Sequence, residues 1–282
     1  CMLLTLLPTA ALATGGERGT PLTIDLSKGS VSIGDGTYTQ GTGEPVQIPE
    51  DGLILTGQSD TNTITVDPGE GKNVAFTIQN LELSTTTGAS LINIQSGSAA
   101  ITLDETNTLT GGIGDTDHAL IHVGKGEAIS LSGAGSLVLN NGSESDGAHG
   151  ASIGGDPAEA GGSITIAGGN ITITQYGPAA GIGGGGPNGS TGPTGDSGTI
   201  NITGGTLNVT VTAVKNYGGG CGIGPGINYY TVPSANEDGV LNSVNISGGT
   251  VTVETASSGN FDYAGAAIGT GRIGGNSEDE CT

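Results

Sequence analysis

The sequence predicts an all-β protein, a right-handed, single-stranded parallel β-helix (a solenoid) with about three short strands per coil. Three observations lead to this fold: a motif ending in Ile-Gly recurs, short segments alternate apolar with polar residues, and paired glycines separate those segments at fixed places. A unit of three short strands, with turns too small for helices, wraps once round an axis. Equal positions of successive units then stack about 4.8 Å apart.

The recurring motif sets the length of the unit. Its successive apolar positions are separated by 29, 30 and 29 residues and then by 41 and 45, and the extra residues all fall in the loop after Ile-Gly. Insertions confined to one corner are what stacked repeats tolerate. These positions are Ile94, Val123, Ile153, Ile182, Ile223 and Ile268.

The alternating segments predict which side chains face the core. Two ladders of apolar residues are expected to face inward and one ladder of polar residues outward, and the glycine pairs are expected to supply the positive φ of a tight corner. The inward ladders are Ile101, Ile129, Ile164, Ile200, Val244 and Leu109, Leu139, Ile173, Val209, Val253. The outward ladder is Thr102, Ser130, Thr165, Asn201, Asn245, and the glycine pairs are Gly168-Gly169, Gly204-Gly205 and Gly248-Gly249.

One domain is expected over residues 20–282, with the clearest glycine-rich repeats over 88–282. Strand-like segments at 53–55, 62–66 and 74–83 indicate further coils in the N-terminal part.

The ends of the chain suggest a secreted protein. Residues 1–13 are interpreted as the remnant of a secretory signal peptide, truncated at its N-terminus, because an apolar run ends in small residues but no basic segment precedes it. A buried strand or short helix is the alternative. Residues 276–282 stop just after a repeat begins, so a C-terminal continuation, with any cell-wall anchor, is expected. The predicted location is extracellular, with attachment to the cell wall left open.

Composition excludes several classes of protein. The 57 glycines follow no strict G-X-Y period and only 11 prolines accompany them, so the chain is not collagen. No apolar run reaches 18 residues, so we expect no membrane insertion. A net charge of −21 makes nucleic acid and anionic lipid poor partners. Disorder is the remaining rival, but hydrophobic residues form 33% of the chain and follow a regular pattern.

Part of the sequence is similar to a known family. The segments 61–66, 74–83, 89–94, 101–103, 107–112 and 131–137 resemble the secreted bacterial carbohydrate-binding β-helix family, which is known from Gram-positive polysaccharide degraders. The later Ile-Gly-Gly-Gly units resemble repeats of large surface proteins from gut Gram-positive bacteria. Together the resemblances cover roughly residues 61–275. They imply an extracellular, non-catalytic, calcium-assisted binder of acidic plant polysaccharide, and no binding residues are carried over.

Catalysis is not expected. β-Helices include pectin lyases, which need a strong base beside calcium-bound carboxylates, and hydrolases, which need clustered aspartates. The strands of this chain contain almost no Asp. A pectin-active lyase is therefore only a remote alternative, because the available cations are scattered: Arg18, Lys28, Lys72, Lys125, Lys215 and Arg272.

Histidine and cysteine residues are predicted to be structural. His118 and His122 lie four residues apart, which on a strand means about 13 Å, too far to share one metal ion. His122 belongs to the outward column of Asn93 and Ser152, so we expect it on the solvated surface. Cys221 is expected to be a small buried thiol, in an inward column with Ile121, Ala151, Ala180 and Ala266. If the signal is cleaved, only Cys221 and Cys281 remain, which is neither a disulfide framework nor a metal-ligand spacing.

Acidic residues at one corner suggest a cation. Four carboxylates each precede the second strand of their coil by a few residues, so stacking would bring them together, where hard oxygen ligands suit Ca²⁺. The alternative is simply an acidic, soluble surface. These residues are Glu127, Glu159, Asp196 and Asp238.

Tyrosines point to a binding surface. Three of them fall five or six residues before the Ile of an Ile-Gly motif and would form a ladder for sugar rings, beside a flat outward strip at Gly181, Gly222 and Ala267. Two more lie in a long loop that could flank it. The alternative is that tyrosines cover a corner of the core. The ladder is Tyr176, Tyr217 and Tyr263, and the loop residues are Tyr229 and Tyr230.

The sequence thus favours non-catalytic polysaccharide binding by a secreted or surface protein, with Ca²⁺ as the candidate ion. A structural or adhesive stalk of a larger cell-surface adhesin is the alternative, and further domains are expected to be missing from this fragment. An ice-binding ladder is a weaker alternative, because Thr165 is followed by Asn201 and Asn245 rather than by threonines.

Overall fold

The computed structural model describes residues 20–112, 117–189, 192–214, 218–227, 240–257 and 264–270, together with the backbone of 272–273. This part of the chain is all-β, which confirms the predicted class. Its one helix is a single 3-10 turn, η1 (Leu26–Lys28). Nothing helical in the described ranges has the length or apolar character needed to cross a membrane.

Twenty-four strands are described. The first twelve are β1 (Leu22–Asp25), β2 (Val31–Ile33), β3 (Thr37–Gln40), β4 (Val46–Gln47), β5 (Leu53–Ser59), β6 (Ile64–Val66), β7 (Asn73–Ser84), β8 (Ile92–Ile94), β9 (Ser98–Asp104), β10 (Thr106–Gly111), β11 (Ile121–Val123) and β12 (Ala128–Gly133). The others are β13 (Ser136–Asn141), β14 (Ile153–Gly154), β15 (Ser163–Ile166), β16 (Asn170–Tyr176), β17 (Ile182–Gly183), β18 (Thr199–Ile202), β19 (Thr206–Ala213), β20 (Ile223–Gly224), β21 (Ser243–Ile246), β22 (Thr250–Ser257), β23 (Ala264–Gly265) and β24 (Arg272–Ile273).

The largest sheet divides into two rows at the long strand β7. The first part of β7 pairs in parallel with β9, and its last residues pair in parallel with β10. The chain changes direction between the two parts at Asn80, whose φ is +49°. The first row continues through β9, β12, β15, β18 and β21, and the second row through β10, β13, β16, β19 and β22.

A second sheet supplies a third row of parallel strands, β2, β6, β8, β11, β14, β17 and β20. Its edge is antiparallel, because β2 pairs with β3 and β3 with β4, and β23 and β24 form a separate antiparallel pair. The sheets are therefore mixed, although most pairs are parallel. We call the stretch from one third-row strand to the next a repeat. From β8 to β22, every repeat gives one strand to each row. The N-terminal strands β5 and β7 include the segments predicted at 53–55 and 74–83, and β6 covers the last three residues of the segment predicted at 62–66.

The inward ladder predicted for the second strand of each repeat is confirmed in the second row. Leu109 pairs with Leu139, Leu139 with Ile173, Ile173 with Val209, and Val209 with Val253. The first four side chains are at most 1% exposed, and Val253 is partly buried against the core. Each strand alternates inward and outward residues, so apolar side chains in register fill the space behind the row.

In the first and third rows, the predicted register was wrong by two residues at one step of each row, and the remaining steps pair as predicted. Ile101 pairs with Leu131 and not Ile129, and the outward Thr102 pairs with Ser132 and not Ser130. In the third row, Ile153 pairs with Ile121 and not Val123. A two-residue slip keeps every inward side chain inward, so an alternating pattern cannot distinguish the two registers.

Glycines allow the repeats to approach closely at two places. The second glycine of each pair has a left-handed φ, +84° at Gly169, +81° at Gly205 and +83° at Gly249, as predicted. The glycine after Ile in the third row packs against the backbone of the next repeat. A Cβ on Gly183, whose φ is +132°, would collide with the carbonyl oxygen of Gly224. The Ile-Gly motif therefore recurs because backbone lies directly on backbone there.

A polar network lies inside the apolar interior. Asn141 and Gln175 are register partners in the second row, and both are fully buried. The Gln175 Oε1 atom accepts hydrogen bonds from Asn141 Nδ2 at 2.8 Å and from Ser152 Oγ at 2.7 Å, and Asn141 Nδ2 also donates to the Gly150 carbonyl at 2.9 Å. The network thus ties the second row to the segment that precedes β14.

Candidate functional site

Ionisable side chains from two successive repeats meet beside the third row. His122 is the central residue of β11, and Glu127 lies just before β12 in the same repeat. Asp156 and Glu159 lie in the loop after β14, in the next repeat. We call this group, with His118, the His122 cluster (His118, His122, Glu127, Asp156 and Glu159).

The His122 imidazole is the centre of the cluster. Its Nε2 atom lies 2.8 Å from Glu159 Oε2 and 3.9 Å from Asp156 Oδ2. Its Nδ1 atom lies 3.0 Å from Oδ1 of Asn93, the register partner of His122 in β8, and 3.8 Å from Glu127 Oε2. The ring is thus held from both sides.

Backbone groups hold the carboxylates in place. The Ala119 N–H donates to Asp156 Oδ1 at 2.8 Å, the Gly124 N–H to Glu127 Oε2 at 2.7 Å, and the Asp156 N–H to Glu159 Oε2 at 3.2 Å. His118 Nδ1 lies 2.5 Å from Asp156 Oδ2. A carboxylate held in this way has few alternative rotamers, so the cluster is pre-organised.

The protonation states reflect this environment. Burial alone would lower the pKa of His122, but the hydrogen bond to Glu159 and the charges of Asp156, Glu159 and Glu127 outweigh it and raise the pKa to about 9. The same hydrogen bond lowers the pKa of the Glu159 carboxyl. Burial raises the pKa of Glu127. In the protein alone, at neutral pH, His122 is therefore an imidazolium ion paired with the Glu159 carboxylate.

The cluster corrects one of the two predictions about the histidines. The side chain of His122 is 13% exposed, so it is not a solvated surface residue. His118 and His122 were expected to be too far apart to share one metal ion, and the group of described residues within reach of one ion contains His122 but not His118. Both histidines nevertheless approach Asp156 Oδ2.

Of the four residues predicted to bind Ca²⁺, two lie together in the His122 cluster. Glu127 and Glu159 flank the same imidazole. Asp196 belongs to the following repeat, and its Oδ1 accepts a hydrogen bond from the Val240 N–H at 2.7 Å. Asp238 lies outside the described residues. Among the described residues, the group whose ligand atoms lie close enough for one ion is His122, Asp156 and Glu159. The sequence reasoning missed Asp156, although its spacing to Glu159 in the loop after Ile-Gly was a usable signal.

The outward side of the second row forms a second candidate surface. Three columns of side chains run across five strands, and 13 of the 15 positions are Ser, Thr or Asn, all half-exposed or exposed. We call it the threonine-rich face. Its columns are Thr106, Ser136, Asn170, Thr206, Thr250; Thr108, Val138, Thr172, Asn208, Thr252; and Thr110, Asn140, Thr174, Thr210, Glu254.

Tyr176 stands at the edge of the threonine-rich face. It ends β16 on the same side as Thr172 and Thr174 and is half-buried. Its register partner in β19 is Thr212. The other four tyrosines of the predicted binding surface, Tyr217, Tyr229, Tyr230 and Tyr263, lie outside the described residues.

The glycine strip expected beside the tyrosines faces the core instead. A Cβ on Gly181 would lie 2.6 Å from Cγ1 of the buried Val209, and one on Gly222 would collide with Cγ1 of Val253. The missing side chains therefore make room for the apolar ladder of the second row. They do not form a floor for a ligand.

Two further titratable side chains are internal. Cys221 is fully buried beside Ile227 and Ala266, as its small-residue column predicted, although the column passes through Ala119 and not Ile121 because of the register slip. His149 is also fully buried, with Nδ1 2.5 Å from the Pro187 carbonyl oxygen, and no sequence motif marked it.

Comparison of the chain with protein-family models, with curated proteins and with solved structures finds no match.

Proposed function

We propose that this chain is a right-handed, single-stranded parallel β-helix that binds a polysaccharide outside the cell, without catalysis. The observation that carries the proposal is the threonine-rich face, an array of mostly short hydroxyl and amide side chains in register across five strands. The three rows of strands support the solenoid. The apolar residues 2–13, which end in small residues, support secretion.

The chemistry of the face suits sugar hydroxyls. Hydroxyl and amide groups donate and accept hydrogen bonds. Neighbouring strands, about 4.8 Å apart, present these groups in a regular array. Short side chains on a sheet also lose little conformational entropy when a ligand covers them. An extended polysaccharide can therefore lie flat across the strands and form many equivalent contacts.

Charge selects the type of polysaccharide. The threonine-rich face carries one ionisable residue, Glu254, among its 15 positions, while the chain as a whole has a net charge of −21. A neutral polysaccharide meets no repulsion on such a face. An acidic, pectin-like chain is repelled unless a cation such as Ca²⁺ bridges the two.

Tyr176 adds an aromatic contact at the edge of this surface. A ring beside hydroxyl groups supplies an apolar face for a pyranose ring and a polar phenol at its rim. We propose the same stacking role for Tyr217, Tyr263, Tyr229 and Tyr230.

Affinity electrophoresis of the full chain in gels that contain arabinoxylan, galactomannan, mixed-linkage β-glucan or polygalacturonate tests the proposal, with calcium and with chelator. Retardation is expected in at least one neutral gel. Thr174→Arg and Thr210→Arg, in the third column of the face, should abolish it, and Tyr176→Ala should weaken it. Thr165→Arg, on the outward side of the first row, is the matched control and should bind normally.

Two results would reject the proposal. One is the absence of retardation in every gel, which favours the alternative that the chain is a stalk of a larger adhesin. The other is equal loss of binding in Thr165→Arg and Thr174→Arg, because the threonine-rich face would then have no special role.

A further inference from the structure

We infer that the His122 cluster is a binding site for one divalent transition-metal ion of the Zn²⁺ class. The ligands are His122 Nε2, Asp156 Oδ2 and Glu159 Oε2, all of which lie within 4.8 Å of one another. This site is separate from the threonine-rich face, so the inference does not depend on polysaccharide binding.

The distances fit a small ion. Tetrahedral zinc with bonds of about 2.0–2.1 Å to nitrogen and oxygen holds its ligand atoms about 3.3 Å apart. His122 Nε2 lies 2.8 Å from Glu159 Oε2 and 3.9 Å from Asp156 Oδ2, on either side of that value. Small side-chain rotations that bring the three ligand atoms to equal separations would therefore admit the ion, and three protein ligands leave one position for water.

The surrounding hydrogen bonds aim the donor atoms. Asn93 Oδ1 lies 3.0 Å from His122 Nδ1 and accepts its proton, so Nε2 is the nitrogen that would bind a metal, after release of the proton that it shares with Glu159 Oε2. The Ala119 N–H occupies Asp156 Oδ1, so Oδ2 is the oxygen on the side of the metal. His118 Nδ1 lies 2.5 Å from this Oδ2 and orients the carboxylate, and the carboxylate oxygen has a second lone pair for the ion. Metal-binding histidines generally have such a partner on their second nitrogen.

The donor set selects the class of ion. Ca²⁺ and Mg²⁺ take oxygen ligands in sites of six or more positions, whereas an imidazole with two carboxylates is typical of Zn²⁺ and its neighbours in the first transition series. The two carboxylates also neutralise the charge of one divalent ion. The cluster therefore favours zinc over the calcium ion that the acidic residues alone suggested.

A metal ion here would join two repeats. His122 belongs to β11, and Asp156 and Glu159 belong to the loop after β14, 34 and 37 residues farther along the sequence. Since the ligands come together only when these repeats are stacked, an ion that binds them stabilises the folded state against unfolding.

Isothermal titration of ZnCl₂ into the chelator-treated full chain tests the inference. The chain should carry Cys1→Ser and Cys281→Ser, because thiolates also bind zinc. We expect one saturable site and a higher melting temperature with zinc. His122→Gln and Glu159→Gln should each raise Kd at least tenfold. Glu144→Gln removes an exposed carboxylate elsewhere and should leave Kd unchanged.

A third variant covers the case in which the ligand variants fold poorly. Asn93→Ala keeps all three ligands and should raise Kd about tenfold, because the imidazole loses its orienting partner. Binding that is absent, that survives both ligand variants unchanged, or that is tighter for CaCl₂ than for ZnCl₂ would overturn the inference. Normal zinc binding with no polysaccharide binding would count only against the function proposed above.

Discussion

The Nε2 atom of His122 lies 2.8 Å from the Oε2 atom of Glu159, so an imidazole from one repeat is paired with a carboxylate from the loop of the next. Thirty-seven residues separate the two. The contact exists because β11 and β14 are parallel neighbours and because the loop after Ile-Gly turns back over β11. It links the solenoid packing directly to the candidate metal site.

The first prediction concerns pH in the metal-free protein. The folded-state pKa of His122 is raised from 6.5 to about 9, so the pair stabilises the fold fully below pH 6.5 and loses its effect as pH rises to 9. In the presence of chelator, thermal stability should fall across this window more steeply for the wild type than for Glu159→Gln. An imidazole NMR titration should place His122 near pH 9 in the wild type and lower in the variant. A wild-type midpoint below 7 would contradict the assignment.

The second prediction concerns the glycine after Ile in the third row. Gly183→Ala places a Cβ against the Gly224 carbonyl oxygen and should cost about 3 kcal/mol or more in the free energy of unfolding, because only backbone can move there. Gly71→Ala is the matched control. It also has a left-handed φ, +70°, but has open space around it, and should cost about 1 kcal/mol. If urea unfolding shows equal losses of stability for the two variants, the positive φ alone explains why glycine is required at position 183.

The third prediction tests the alternation of the second row. Leu139 is fully buried between Leu109 and Ile173, so Leu139→Ala should cost about 3 kcal/mol in urea unfolding. The preceding residue, Val138, faces outward and is half-exposed. Val138→Ala should cost less than about 1 kcal/mol. A larger loss at Val138 would mean that the strand faces the other way.

The fourth prediction concerns the buried polar network. Gln175→Leu removes the acceptor shared by Asn141 Nδ2 and Ser152 Oγ and should destabilise the fold by about 2 kcal/mol. Ser152→Ala should cost about 1 kcal/mol, and the double variant should lose less than the sum of the two. Gln79→Leu, at a half-exposed position, is the control and should lie within about 0.5 kcal/mol of the wild type. Strict additivity would show that the network is not coupled.

Much of the fold follows from local sequence pattern. The alternation of Leu109, Leu139 and Ile173 with polar neighbours predicted an inward ladder, and the pair Gly204-Gly205 predicted a left-handed corner. These two predictions were confirmed because the two-residue alternation of side chains and the positive φ of glycine are properties of short segments. The predicted register partners of Ile101 and Ile153 were wrong because a slip of two residues leaves the alternation of apolar and polar residues unchanged.

The candidate sites were less predictable. The sequence marked Glu127 and Glu159 as carboxylates near one corner, but it placed His122 in solvent and did not select Asp156. Those errors share a cause. The loop after Ile-Gly has no periodic pattern, so its course over β11, which buries His122, depends on contacts between repeats.

The sequence by itself determined that this chain forms β-strands in repeats with an apolar and a polar side, because side-chain period and glycine position act within a few residues. Only the tertiary structure decided which strands are neighbours, that Gly181 faces Val209, and that His122 meets Asp156 and Glu159. Such contacts join residues about 30 or more positions apart, and their geometry depends on how loops of unequal length close over the stacked strands.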